Sequence, residues 1–281
     1  MRNVDEPLLV LGATSLIGRF LLPRLEASRT DYAPFSRQAP RTERWLQGDL
    51  DRINAAGLPR SRRVVSLSPI WLLPPALPAL LSAGMQRLVA FSSTSRFTKT
   101  ASPDPAERAV ARRLAEAEAA TSEFCEARGV RWTILRPTLI YAEGQDQNVT
   151  RLAGLIRRLG FVPLYGRGEG RRQPVHADDL AGAALAALDA PGAADRAFDL
   201  PGGETLSYRA MVERIFEGMG RRPRIVSLPA PLWRAGFALA APLLPGAGVA
   251  MGARMAEDLV FDGEPARAAL EWSPRAFRPA F

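Results

Sequence analysis

Short apolar runs alternate along the first half of the chain with longer stretches whose apolar positions recur every three to four residues. Leu8 to Leu11 (LLVL) is followed at once by Gly12 and predicts a buried strand. Leu16, Ile17, Phe20, Leu21 and Leu25 then place apolar side chains on one face of a helix over 16–27. Tyr32 to Phe35, Arg63 to Leu67 (RVVSL), Arg87 to Phe91 (RLVAF) and Arg131 to Leu135 (RWTIL) read as further strands, with Pro34 weakening the first of them. Between the last two lies a long helical pattern over 104–128. It opens at Asp104-Pro105, a capping residue followed by a proline in the first turn, and closes at Gly129. Strand and helix in alternation, with strands that are apolar throughout, predict an α/β fold: a Rossmann-type doubly wound parallel sheet.

The second half is less regular. Helices are expected over 151–159, ending at Gly160, over 179–188, and over 207–219, ending at Gly220; a strand is expected over 224–228. These pieces suggest a sheet domain over 1–145 and a small C-terminal α/β substrate lobe over 146–281, with some segments returning to the core. Residues 230–256 (APLWRAGFALAAPLLPGAGVAMGARMA) are apolar but broken by Pro231, Pro242 and Pro245 and by Arg234 and Arg254. That is too interrupted for a span of about 20 apolar residues. The stretch reads either as one or two lobe helices or as a surface resting on a membrane or a membrane protein.

Composition narrows the classes. The 281 residues are 47% hydrophobic and 23% charged, which fits a globular chain and excludes a disordered or fibrous one. The formal charge is +8, carried almost wholly by arginine, since Lys99 is the only lysine. The arginines are scattered and accompany no recognition-helix or zinc-finger spacing, so nucleic acid is not an expected partner. A single cysteine, Cys125, excludes an internal disulfide, and a single histidine, His176, argues against structural zinc. The N-terminal residues have acids at Asp5 and Glu6 and do not read as a signal peptide. The expected location is the cytoplasm, with the inner face of the membrane as an alternative if 230–256 is a docking surface. The chain is expected as a monomer or a homodimer.

The turn between the first strand and the first helix carries Gly12-Ala13-Thr14-Ser15-Leu16-Ile17-Gly18. Gly12 lets the chain leave the strand tightly, Gly18 allows close helix packing, and the first helical turn offers N–H groups to a pyrophosphate. With these residues in this setting the chain resembles the NAD(P)-binding short-chain dehydrogenase/reductase superfamily, in particular its extended and atypical branch that includes the NAD-dependent epimerase/dehydratases. Further pieces follow in family order: Gly48-Asp49-Leu50 near the adenine, Leu67-Ser68-Pro69 after a strand, Ser92-Ser93-Thr94, Arg136-Pro137-Thr138 near the nicotinamide, and Arg172 before Val175-His176-Ala177-Asp178-Asp179. Ser15 stands where the family places its middle glycine, and its Cβ is expected to crowd the phosphate. The resemblance implies a cofactor held by Gly12, Thr14, Ser15, Leu16, Ile17, Gly18, Asp49, Leu50, Leu67, Ser68, Pro69, Pro137 and Thr138. NAD-using members carry an acid at the end of the second strand. Here Ser36 and Arg37 occupy that region, which favours NADP over NAD because a guanidinium suits a 2′-phosphate.

The family's chemistry uses a tyrosine and a lysine four residues apart on one helix. No tyrosine lies within 104–128, and Lys99 precedes it. Arg108, Arg112 and Glu116 are the nearest pattern, with Arg112 as a stand-in for the ribose-holding lysine. Three readings follow. The chain is a redox enzyme in which Thr94 orients a carbonyl, alcohol or nucleotide-sugar substrate and Tyr141 or His176 supplies the proton. Alternatively, it binds NADP(H) without turnover as a structural or assembly subunit, like the complex I accessory subunit of the superfamily. The third reading is a nicotinamide redox sensor. Arg171 and Arg172 are candidate contacts to a substrate diphosphate.

Overall fold

The computed structural model describes residues 6–38, 44–233, 252 and 254–281. Its strands are β1 (Leu8–Leu11), β2 (Tyr32–Ser36), β3 (Leu46–Gln47), β4 (Arg63–Ser66), β5 (Arg87–Phe91), β6 (Arg131–Pro137), β7 (Ile140–Tyr141), β8 (Val162–Tyr165), β9 (Arg171–Arg172), β10 (Val175–His176), β11 (Arg196–Leu200), β12 (Leu206–Ser207) and β13 (Ile225–Leu228). Its helices are α1 (Gly18–Ala27), α2 (Leu77–Ser82), α3 (Ser95–Thr98), α4 (Pro105–Ala127), α5 (Val149–Leu159), α6 (Ala177–Asp189), α7 (Tyr208–Gly218) and α8 (Glu264–Leu270).

Seven strands form one sheet in the order β11-β6-β5-β4-β1-β2-β3, and every pair in it is parallel. The alternation of side chains along a strand explains how apolar runs fill two cores. From β1, Leu8 and Val10 pack with Leu21 and Leu25 of α1 and Leu180 and Ala184 of α6. Leu9 and Leu11 enter the opposite layer with Leu114 and Ala117 of α4 and Leu80 of α2. The doubly wound sheet expected from the sequence is the observed one. Pro34 is tolerated in β2 because β3 pairs only with Phe35 and Ser36, so no strand on that side needs the missing N–H.

Two segments beyond residue 146 belong to this layer. Strand β11 extends the sheet beside β6, and α6 covers one face. The remaining lobe has its own core, in which Val149, Ile156 and Leu164 meet Met211, Phe216 and Phe277. The helix expected over 104–128 forms as α4, with Asp104 accepting from the Ala106 N–H at 2.8 Å. No helix among the described residues is long and apolar enough to cross a membrane.

Candidate dinucleotide site and catalytic corner

The chain winds from β1 to β2 and β3 on one side and returns through β4, β5 and β6 on the other. The crevice where strand order reverses, at the C-terminal ends of β1 and β4, is where open α/β sheets receive ligands. The Gly12–Gly18 loop stands at that point. Gly12 has φ +69°, and a Cβ there would lie 2.5 Å from Ser68 Oγ and 2.8 Å from its backbone N. A Cβ on Gly18 would lie 2.2 Å from the Ala13 carbonyl oxygen. Both glycines therefore answer to close backbone approach. The Leu16 and Ile17 N–H groups have no partner among the described residues and lie at the start of α1, where an anion is favoured.

Ser15 also has a role within the loop itself. Its hydroxyl accepts from the Gly18 N–H at 3.2 Å, while its carbonyl accepts from Arg19. It thus caps the helix from within the loop and occupies one donor that a glycine would leave free. At the end of β2 the Thr14 and Ser36 hydroxyls are 2.9 Å apart, so the structure joins the loop to the second strand. Arg37 follows, exposed and without an ionic partner among the described residues. No acid stands at Ser36 or Arg37 to receive a ribose 2′-hydroxyl.

Around this loop, Gly48 donates to the Ser36 carbonyl at 3.0 Å, and Asp49 caps the short turn that follows, accepting from Asp51 at 3.4 Å. Leu50 is buried in the sheet core rather than facing the crevice. The Leu67 N–H donates to the Leu11 carbonyl at 2.8 Å, which holds Ser68 against Gly12 and leaves Pro69 exposed. Thr94, buried after β5, donates both its N–H and its hydroxyl to the Pro137 carbonyl at 3.2 Å. The Thr138 hydroxyl donates to the Gln173 carbonyl.

A cleft of about 370 Å³ opens between this strand-end segment and the lobe. Ser93, Thr94, Thr98 and Thr138 supply hydroxyls along its wall, and Lys99, Arg172 and Arg254 supply cations. Those cations are already engaged. Glu107 takes Arg254 at 2.7 Å and Lys99 at 3.7 Å. Arg172 is buried and donates to the carbonyls of Arg171, Glu257 and Arg254, and burial lowers its pKa. Arg171 turns outward and pairs with Asp258 at 2.7 Å, so only Arg172 of the two lines the cleft.

The sequence-derived proton donors do not reach this cleft as free groups. Arg112 is 69% exposed on the outer face of α4 and pairs with Glu116, because the buried face runs through Ala111, Leu114, Ala117 and Glu118. Arg112 is therefore not a ribose clamp. Arg108 donates to the Ser102 and Pro103 carbonyls at the helix start. Tyr141 is packed edge-on between His176 (5.0 Å) and Phe277 (4.9 Å) in the lobe core, and burial pushes its phenol well above the ordinary tyrosine range. His176 is the N-cap of α6: Nδ1 accepts from the Asp178 N–H at 3.1 Å, which puts the ring proton on Nε2, 3.2 Å from Glu143. Both nitrogens are committed to structure.

The corner instead holds an ionic cluster that the sequence pattern does not announce. Glu118 is 3% exposed and receives Arg136 through Nε (2.9 Å) and a terminal nitrogen (2.6 Å), Arg96, and the Ser92 hydroxyl. Asp199 of β11 lies 3.7 Å from Arg136, and burial outweighs that cation to raise its pKa. One and two turns before Glu118 on the same face come Leu114 and Val110. This face of the helix is thus apolar and then ionically tied, with no tyrosine or lysine on it. The step of four from Leu114 to Glu118 is the one signal in the sequence that could find it. The apolar stretch 230–256 falls mostly on 234–251 and 253, outside the described residues.

Three comparisons bear on this arrangement. Residues 75–200 match the model of the "NAD dependent epimerase/dehydratase family". A protein of Arabidopsis thaliana, "NADH dehydrogenase [ubiquinone] 1 alpha subcomplex subunit 9, mitochondrial", is 31% identical over 105 residues, covering 37% of this chain and 26% of that protein. Its counterpart of the same name in Dictyostelium discoideum is 24% identical over 93 residues, covering 33% of this chain and again 26% of that protein. The matched stretch is therefore about a quarter of these relatives. Among solved structures, MoeE5 in complex with UDP-glucose and NAD superposes with a TM-score of 0.73 at 21% identity, covering 96% of this chain and 94% of that one. UDP-glucose 4-epimerase of Thermotoga maritima with UDP-glucose gives 0.71 at 16%, with the same coverage. Residues 75–200 thus resemble the NAD-dependent epimerase/dehydratase family, and the chain shares the fold of the solved epimerase-like structures over nearly its whole length.

Proposed function

We propose that the protein binds NADP(H) at the Gly12–Gly18 loop and that its role rests on holding the dinucleotide rather than on a tyrosine/lysine proton relay. The observation that carries this reading is the contrast at one sheet edge. The loop excludes side chains at Gly12 and Gly18 and presents free amides, whereas the face of α4 near Thr94 carries Val110, Leu114 and a tied Glu118. The dinucleotide would supply the hydride chemistry when bound. The chain's residues would place the pyrophosphate at Leu16 and Ile17, the 2′-phosphate at Ser36 and Arg37, and the adenine end near Asp49. MoeE5 is described with NAD, which supports a nicotinamide dinucleotide as the ligand here. The choice of NADP is supported by Arg37 and the lack of an acid beside it.

The biological setting that fits best is an assembly or accessory subunit of the complex I type, as the NADH dehydrogenase subunits of the matched name suggest. A second reading keeps the cleft of about 370 Å³ as a working site for a carbonyl, alcohol or nucleotide sugar oriented by Thr94. Calorimetric titration with NADPH and NADH tests the proposal. Tighter NADPH binding is expected. Equal affinities or a preference for NADH would remove the NADP assignment, and failure to bind either would remove the proposal itself.

A further inference from the structure

The end of α5, the turn into β8, the loop before β13 and the last residue of the chain meet at one corner of the lobe. Arg221 donates to the Ile156 carbonyl at 3.2 Å, Val162 donates to the Arg224 carbonyl at 2.9 Å, and Phe281 donates to the Gly218 carbonyl at 3.1 Å. The Arg157 guanidinium stands 5.6 Å from the centroid of the Phe281 ring. These contacts bring together the segments that carry Arg157, Arg158, Arg221, Arg222 and Arg224, and all five are exposed. None of them makes an ion pair among the described residues, unlike the arginines at 24, 63, 131, 171 and 275, each of which has a carboxylate within 2.8 Å. The segments 149–168 and 218–233 contain no acid at all, and Glu217, the nearest in sequence, pairs with none of the five.

Apolar side chains protrude among these cations. Gly160 closes α5 in a left-handed turn, φ +76°, and the residues on either side of it are unusually open: Leu159 is 51% exposed and Phe161 38%. Val226, on β13 beside the residue that pairs with Val162, is 45% exposed. The surface is therefore a protruding apolar turn set in unpaired guanidinium groups of one sign.

We infer that this corner is a docking face for an anionic lipid bilayer surface. Leu159 and Phe161 would enter the headgroup boundary while the arginines meet lipid phosphates. An acidic protein patch would also meet cations of one sign, but apolar side chains protruding among the cations match a headgroup boundary, where apolar groups sit beneath lipid phosphates. The five guanidinium groups here are all of one sign, which suits a diffuse anionic plane. The site is separate from the dinucleotide crevice and does not depend on the function proposed above.

Co-sedimentation of the full chain with vesicles tests it. Binding is expected to vesicles of equal parts phosphatidylglycerol and phosphatidylcholine, to be weak on phosphatidylcholine alone, and to fall as salt is raised. Reversing Arg158→Glu and Arg222→Glu together should weaken binding at least ~10-fold, and Leu159→Ser with Phe161→Ser should weaken it as well. Both double variants should keep the parent melting temperature and NADPH affinity. Equal binding to neutral vesicles, or anionic binding that survives the arginine reversal, would overturn the inference. So would a failure to sediment with vesicles accompanied by retention on RNA or on an acidic protein.

Discussion

The Gly12–Gly18 loop and the corner at α4 sit along the same sheet edge and are built by different means. The loop works through backbone: positive φ at Gly12, a 2.2 Å limit at Gly18 and unsatisfied N–H groups. Within it the Ser15 hydroxyl turns inward to cap Gly18. The corner is built from side chains, and there the face of α4 carries Val110, Leu114 and a salt-bridged carboxylate, with no tyrosine or lysine on it. Under the proposed function, binding set by main-chain geometry would survive substitutions that remove a general acid. The two functions of such a fold are physically separable.

This contrast breaks most sharply at Glu118. Removing it by Glu118→Ala leaves Arg136 and Arg96 without their carboxylate in a buried site, which should cost about 3–5 kcal/mol of stability in a denaturant titration. Glu118→Gln should cost less. A loss below about 1 kcal/mol would show that the cluster is not a structural tie. Gly18→Val comes next. Its side chain must displace the Ala13 carbonyl, so stability should fall by about 1–3 kcal/mol, and calorimetry should detect no dinucleotide binding. Arg37→Ala should lower NADPH affinity by roughly 10- to 100-fold, since a hydrogen bond to a charged group contributes about 1.5–3 kcal/mol, and should leave NADH unchanged.

A lesser effect is expected at acid pH. Asp178 is partly buried, which raises its pKa, but hydrogen bonds from Arg24 and Arg275 outweigh this and hold it low. For Glu204, burial is likewise outweighed, by Arg214, the Phe277 N–H and Arg278. A depressed carboxylate adds stability above its unfolded pKa and loses it as pH falls through its folded pKa. The tether of residues 275–278 should therefore be intact at neutral pH and weaken below about pH 4. Hydrogen exchange at Phe277 as pH is lowered would follow it, and protection unchanged to pH ~3 would contradict this. Slightest of all is Ser15→Gly, which exchanges one cap for one free amide. Stability should change by a few tenths of a kcal/mol and NADPH affinity only slightly.

Much of this is legible in the sequence. The apolar runs of β1, β4, β5 and β6 and the capped pattern of α4 mark the sheet layer because four or more residues share one environment. The two-residue pairings of β3, β7, β9, β10 and β12 carry no such period and are set by tertiary contact. At the site, glycine positions can be read because a missing Cβ has one geometric meaning. Arg112, Tyr141 and His176 have suitable chemistry but their facing depends on packing: outward on α4, inward in the lobe core, and onto the α6 N-terminus. Glu118 is hidden for the opposite reason, since a charged residue on a helix is usually solvated.

On this reading, dinucleotide binding has outlasted acid catalysis. Loading the protein with NADPH and following its absorbance during a single turnover against aldehydes, ketones and nucleotide-sugar intermediates decides the matter. Tight binding is expected, with oxidation slowed by about 10²–10⁴ relative to a site that has its general acid. Fast oxidation of the bound cofactor would contradict it, whether it persists in Tyr141→Phe and His176→Ala or is lost in one of them.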